Sequence, residues 1–428
     1  MNSILIDAVI FLDIDPNATR NGEPCLPLEK FLGRSAIQRL LYQLGQIEAK
    51  CCMVIANNES PGVLGMVSGQ ASEIDLGQMI VDVCTSKRTT PMENFADQVI
   101  VLQANTVLDI RFFRKIKQCA APVKIFSDDG PPFYLAKVHA DQITQIVGAE
   151  GDLGEYLVET PDMTNIPTST IPKYVPSMRR SFPPYRQMLD DISDLELAGD
   201  KVMDAAQKGV LDFPARYLHP VPENYLARAL SGTSITPNQI TIYSAILAFI
   251  GTYLFATQWY LPALILAVIA GILDGVDGKL ARIKLLSSPY GDRLDHTLDI
   301  SFEFSWYIAL AWGLSQGTGD PGLFWYGFVI IGIMLLARGL SGTYLYLTGR
   351  QIHDHTGFDR AVRLFAGRRN IYVLVLLAGY LTNNFLESFK VVALWAAVTA
   401  GIYGIRNIIA ILHKLYTSRG LGVKYGNK

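Results

Sequence analysis

Six apolar runs in the C-terminal half, at about 239–257, 260–281, 296–315, 322–347, 370–387 and 390–413, constrain the fold more than any other feature. Roughly twenty apolar residues in a helix cross a hydrocarbon core of ~30 Å. Any one run could be a buried soluble helix, but six in succession predict an all-α domain of six transmembrane helices. The loops set its orientation. Residues 256–260 and 315–322 carry no Lys or Arg, whereas 279–293 holds Lys279, Arg282, Lys284 and Arg293, and 349–369 holds Arg350, Arg360, Arg363, Arg368 and Arg369. The tail adds Lys414, Arg419, Lys424 and Lys428. The positive-inside rule then predicts a multi-pass protein of the cell membrane with both termini in the cytoplasm.

The N-terminal part is of another kind. Only 18% of the chain is charged, against about 25% in ordinary soluble domains, and that deficit falls in the apolar half. Strand-like runs at Ile4–Leu12, Cys51–Ala56, Gln98–Leu102 and Val123–Phe126 alternate with amphipathic stretches such as Ser35–Leu44 and Phe112–Cys119. That alternation predicts an α/β domain with a largely parallel sheet. Asp7 and Asp13 interrupt the first apolar run and no basic segment precedes it, so a strand is expected there rather than a secretory signal. Five cysteines without C-x-x-C spacing predict free thiols in a reducing compartment. A net charge of −2 gives no bulk attraction to nucleic acid, and none is expected as a partner. Six prolines between 161 and 184 predict an extended linker, followed by a helix with Ser193 and Glu196 as its capping pair. The expected division is 1–160 for the α/β domain, 161–204 for linker and helix, and 205–428 for the membrane domain. Asp212 to Leu230 is expected to form an amphipathic helix on the cytoplasmic face.

The chemistry is concentrated where the second run ends and the third begins. Asp274, Asp277, Gly278, Ala281 and Arg282 are followed by Gly291, Asp295 and Asp299. Asp274 and Asp277 are i,i+3 and Asp295 and Asp299 are i,i+4, so each pair shares one helix face. Unpaired carboxylates at the edge of a membrane repel one another and are poorly hydrated, which makes function the default reading. Oxygen-only ligands suit Mg²⁺, Mn²⁺ or Ca²⁺, and carboxylate-held Mg²⁺ pairs with substrate phosphates. Two such ions would neutralise both the acids and a diphosphate. Gly278 and Ala281 remove bulk from the helix face, and Arg282 suits bidentate phosphate contact. A solvated acidic helix end is the alternative, and it does not explain all eight positions.

These residues resemble the signature of the CDP-alcohol phosphotransferases, D-x2-D-G-x2-A-R-x8-G-x3-D-x3-D, which is met at every specified position. The resemblance spans about 205–415 and includes Thr236-Pro-Asn-Gln-Ile-Thr241 ahead of the first run. It implies a role in phospholipid biosynthesis: transfer of a phosphoalcohol from a CDP-alcohol donor to an acceptor hydroxyl, with release of CMP. It further implies that Asp274, Asp277, Asp295 and Asp299 hold a pair of Mg²⁺ or Mn²⁺ ions, with Asp299 also the general base. Gly278, Ala281, Arg282 and Gly291 would line the CDP site, and the protein would be a homodimer among membrane lipids. The soluble domain and the 349–369 arginines favour a phosphorylated acceptor, though those arginines equally suit anionic headgroups. Glu303, Arg338 and Arg406 are expected either to brace the bundle as ion pairs or to bind acceptor.

A second resemblance links Ile4–Leu12, Pro27-Leu-Glu-Lys30-Phe-Leu-Gly-Arg-Ser35 and Cys51–Ala56 to sugar-phosphate nucleotidyltransferases. In place of that family's glycine-rich loop stands Asp13-Ile-Asp-Pro-Asn-Ala-Thr-Arg20, which lacks glycines to approach a triphosphate. No acid precedes Asp109 after the 98–102 run. A degenerate domain is therefore expected over an active cytidylyltransferase. Two alternatives stand beside the phosphotransferase: a bifunctional enzyme of inositol-phosphate type that makes its own CDP-alcohol, and a membrane transporter or scaffold without catalysis.

Overall fold

The computed structural model describes residues 7–12, 25–56, 61–85, 96–126, 134–148 and 163–418. The Asp13–Arg20 stretch, the start of the first predicted strand and the basic residues beyond 418 lie outside them. The N-terminal domain is built on a seven-stranded sheet of order β10-β8-β9-β6-β1-β4-β5. Its strands are β1 (Asp7–Leu12), β4 (Cys51–Ala56), β5 (Ile80–Thr85), β6 (Gln98–Gln103), β8 (Val123–Phe126), β9 (Leu135–His139) and β10 (Thr164–Pro167). β1 pairs in parallel with both β4 and β6. It is a near-continuous apolar run because both faces of a central parallel strand are covered. Only β9 runs antiparallel to its neighbours β6 and β8. Helices α1 (Ala36–Gln46), α2 (Pro61–Ser72), α3 (Ile110–Gln118) and α4 (Ala140–Gly148) complete the layers. α1 opens on a capping box in which Ser35 and Gln38 satisfy each other's backbone N–H groups. All five cysteines are free thiols.

The proline-rich stretch departs from an extended linker. Thr164–Pro167 pairs in parallel with β8 and closes one edge of the sheet, where a proline without an N–H is tolerated. Beyond it, β11 (Tyr174–Val175) and β12 (Arg180–Ser181) make a short hairpin, and β13 (Arg186–Met188) pairs with β7 (Thr106–Leu108). Composition marked prolines there, and long-range pairing gave them partners. The helix that follows, α5 (Ile192–Ala205), is capped by Asp191 and Asp194 rather than by Ser193 and Glu196. An aspartate two residues earlier reaches the same orphan N–H groups, so the start moves by two.

The helical domain begins with a π turn (Pro214–Leu218) and α6 (Pro220–Ser231). Tyr217, Val221 and Tyr225 are exposed there, as suits a segment lying along a membrane face. Six helices match the six apolar runs: α7 (Pro237–Ala256), α8 (Tyr260–Ile283), α9 (Pro289–Thr318), α10 (Gly322–Thr348), α12 (Arg369–Leu381) and α13 (Phe385–Ser418). Among the described residues, α7, α8, α10 and α13 are long and apolar enough to cross a membrane. α9 carries too many charges in its first half, and α12 has only 13 residues, about 20 Å at 1.5 Å per residue. α12 becomes long enough only with α11 (Gly357–Phe365), from which it is bent by 42°. The expected six spans are thus supported only in part: among the described residues six helices fall on the six runs, but four are complete spans and the bent pair would make a fifth.

The two domains share a core. The hairpin of β2 (Lys30–Phe31) and β3 (Arg34–Ser35) brings Phe31 and Leu32 against Ala198, Val202, Val276, Leu280 and Ile283. Gly33, at φ +76°, lies so close to the Ser231 carbonyl that a Cβ would overlap it. Arg34 Nε donates to the carbonyl oxygen of Lys284 at 3.0 Å. The α/β domain therefore sits on the end of α8 that carries the acidic signature.

Candidate active site

α8 and α9 present the acids because each starts and ends where its sequence dictates. Ser288 caps α9 by accepting from the Gly291 N–H, with Pro289 at the first helical position. Asp292 to Asp299 are thereby set on the first turns of α9. α7 starts on a capping box of Thr236 and Gln239, which places Thr241 one turn in. Thr241 Oγ1 donates to Asp277 Oδ2 at 2.5 Å.

One carboxylate oxygen from each of Asp274, Asp277 and Asp295 lies within 4.8 Å of the others. Asp277 is 6% exposed, so its charge needs compensation that a hydroxyl alone does not supply. An all-oxygen trio at this spacing fits a hard dication. Asp299 stands outside the trio. Its Oδ1 accepts from Arg369 Nη1 at 3.0 Å, while Arg369 Nη2 donates to Asp274 Oδ2 at 3.1 Å. The guanidinium also lies over the Phe302 ring, 4.6 Å from its centre.

A cavity of about 590 Å³ opens on this cluster, and all eight signature positions line it. Gly278 faces the Arg282 guanidinium, where a Cβ would stand 3.3 Å from a terminal nitrogen. Arg282 Nε is engaged by the Ala206 carbonyl at 2.8 Å. Gly291 faces Asn238, whose amide oxygen would be 2.9 Å from an added Cβ. Behind the acids, Lys279 and Glu223 form a buried ion pair at 2.8 Å, with Asn224 also accepting from Lys279.

Sequence reasoning missed several residues that line the cavity or hold its acids. Thr241 lay within a noted motif, but nothing in the sequence pairs it with Asp277. Arg369 was one of five arginines in a basic loop, and only packing selects it. Arg179, Lys208 and His353 carry no local signal. Burial, then Arg368 and Arg179, push the His353 imidazole down to about 4, so it is neutral near pH 7. Of the other intramembrane charges, Glu303 pairs with Arg338, and Arg406 with Asp359 at 2.7 Å. Both ion pairs tie one helix to another.

Residues 234–403 match the family model of the CDP-alcohol phosphatidyltransferases. The helical domain belongs to that family. The bifunctional IPC transferase and DIPP synthase of Rubrobacter xylanophilus is 31% identical over 179 residues, which cover 41% of this chain and 40% of that protein. The inner membrane protein YnjF of Escherichia coli is 31% identical over 123 residues, 27% of this chain and 57% of that one. The chain thus spans about half the length of the curated relatives it matches. The structure of the inositol-1-phosphate CTP transferase from T. maritima is similar at 6% identity and a TM-score of 0.32, covering 46% of this chain and 95% of that one. Arg179, Lys208, Asp212 and Glu223 precede the matched residues, so part of the cavity wall comes from outside the match.

Proposed function

We propose that this protein is a membrane enzyme that moves a phosphoalcohol unit from a CDP-alcohol to an acceptor hydroxyl and releases CMP. The observation that carries this reading is the convergence of Asp274, Asp277 and Asp295 at the mouth of a cavity lined by every signature residue. These three carboxylates would hold a divalent cation, with Thr241 orienting Asp277. A dication bound there would offset the diphosphate charge and stabilise the leaving CMP. Gly278, Ala281 and Gly291 leave room for the nucleotide against the helix backbones, and the Arg282 guanidinium supports a phosphate contact. Asp299, one turn beyond Asp295, would accept the proton of the incoming hydroxyl while Arg369 fixes its orientation. A second ion would require Asp299 and Asp274 to exchange Arg369 for metal.

Two observations favour a non-catalytic N-terminal domain. Asp109, the first acid after β6, is 4% exposed and fully engaged by Arg111 at 2.8–2.9 Å. The hairpin carrying Lys30 is used to dock on the membrane domain, and Lys30 itself pairs with Glu73 at 2.7 Å. The test is incubation of purified protein with CDP-alcohols and candidate acceptors. Metal-dependent release of CMP supports the transferase, and an inert protein favours a transporter or scaffold. Release of pyrophosphate from CTP and a phosphoalcohol would instead support the bifunctional reading.

A further inference from the structure

The cavity has a second, basic end. Arg179, Lys208, Arg363 and Arg368 line it together with His353. Their charges are poorly compensated. Arg363 is 8% exposed, and its Nε has no hydrogen-bond partner among the described residues. Among the described residues, Arg179 donates only to the neutral amide oxygen of Gln351, at 3.1 Å. Arg368 approaches Asp212 no closer than 3.7 Å. Among the described residues neither Arg179, Lys208 nor Arg363 has a carboxylate within ion-pair distance. Burial, then the neighbouring Arg282 and Arg179, push the Lys208 ammonium below its usual range. Cations gathered at one end of a cavity with few close counter-charges are costly unless a ligand brings further negative charge.

Two of the four, Arg179 and Lys208, precede the matched residues 234–403, and their placement is built. Arg179 occupies the turn between β11 and β12 in a left-handed conformation, φ +48°. Its carbonyl packs on Gly209, where a Cβ would collide, and the Gly209 N–H donates to Met178 O at 2.9 Å. Arg180 grips Asp204 at 2.9 Å, and Tyr174 hydrogen-bonds Asp354. The hairpin and the 207–209 segment are thus locked together, with Arg179 and Lys208 on the cavity side. Lys208 is also within electrostatic reach of Asp274 and Asp295, so it stands between the acidic and basic ends.

We propose that Arg179 and Lys208, supplied by the interdomain segment, complete an anion subsite that holds the phosphate of a phosphomonoester acceptor. This rests on the transferase reading, which puts the acceptor hydroxyl at Asp299. The acceptor lies across the cavity, with its phosphate among the cations and its hydroxyl towards the acids. The interdomain segment then selects the acceptor, while the family domain handles the donor. An anionic lipid headgroup presents the same phosphate chemistry, so the test must separate the two sources.

The experiment is calorimetric titration of the full chain in detergent with Mg²⁺, using CMP, inorganic phosphate, glycerol 3-phosphate, inositol 1-phosphate and glycerol. Wild type is expected to bind CMP and at least one phosphomonoester but not glycerol. Arg179→Gln and Lys208→Gln should each weaken the phosphomonoester roughly ten-fold or more, and Arg179→Gln should leave CMP affinity unchanged, a split that a merely structural role would not produce. Loss in Arg363→Gln alone, with both interdomain variants binding like wild type, overturns the proposal and leaves the transferase reading standing. The proposal also fails if wild type binds none of the phosphomonoesters, or if only nanodiscs with phosphatidylglycerol respond to Arg179→Gln. Absence of Mg²⁺-dependent CMP binding would instead bring down the transferase reading.

Discussion

Arg369 donates to Asp299 at 3.0 Å and, through its other terminal nitrogen, holds Asp274 at 3.1 Å. One guanidinium therefore compensates one acid from each signature helix, tying the start of α12 to α8 and α9. Arg369→Gln removes both the charge and the two-pronged reach of the guanidinium, leaving both carboxylates to repel. The expected loss of stability is on the order of 2 kcal/mol, read as a lowered unfolding temperature in detergent. Saturating Mn²⁺ should recover part of it, because a cation replaces the missing charge. An unchanged melting curve would show the bridge to be dispensable.

Asp299→Asn preserves the shape of the side chain and its contact with Arg369 through the amide oxygen, but it cannot take a proton. Release of CMP is expected to fall by roughly 10²–10⁴-fold, with Mg²⁺-dependent CMP binding retained. Parallel loss of binding and turnover would mean that Asp299 acts mainly by holding the site together.

Thr241→Val removes the hydroxyl that donates to Asp277. Outer hydrogen bonds of this kind typically govern 10- to 100-fold in metal affinity. Mn²⁺ titration followed by electron paramagnetic resonance should show a loss of that order. Asp277→Asn should abolish the binding altogether, and exhaustive chelation should do the same to CMP release. Equal Mn²⁺ affinity in wild type and Thr241→Val would detach Thr241 from the site.

Gly33→Val places a β-branched side chain at φ +76° against the Ser231 carbonyl. Strain and overlap act together, so the hairpin should lift from the membrane domain. Limited proteolysis should then cut between the domains faster than in wild type, with the sheet itself still folded.

His353 makes stability depend on pH. Its folded pKa, near 4, lies below the ordinary value of 6.5, so between the two the unfolded chain binds the proton more tightly. The contribution is complete above pH 6.5 and is lost as pH falls towards 4. The unfolding temperature of wild type should decline over that window more steeply than that of His353→Gln. Parallel profiles would place His353 in contact with solvent.

Much of the architecture was legible in local patterns. β1, β4, β6 and β8 fall where short apolar runs alternate with helical ones, because the periodicities of strand and helix are local properties. The same holds for the shared helix faces of Asp274 with Asp277 and Asp295 with Asp299, which need only the geometry of one helix turn. The span count was less legible. α9 is amphiphilic because its first turns serve the site, and α12 is cut short where Gly367 and the paired arginines bend the chain.

What the sequence determined by itself was the membrane domain, the α/β layer and the acidic signature, all of which depend on neighbours a few residues apart. The tertiary structure decided which cation meets which acid: Arg369 reaches Asp299 across 70 residues and Asp274 across 95. It also made a strand of Thr164–Pro167 and brought Arg34 to Lys284 across 250 residues. Such pairings depend on how whole elements pack, and no local period encodes them.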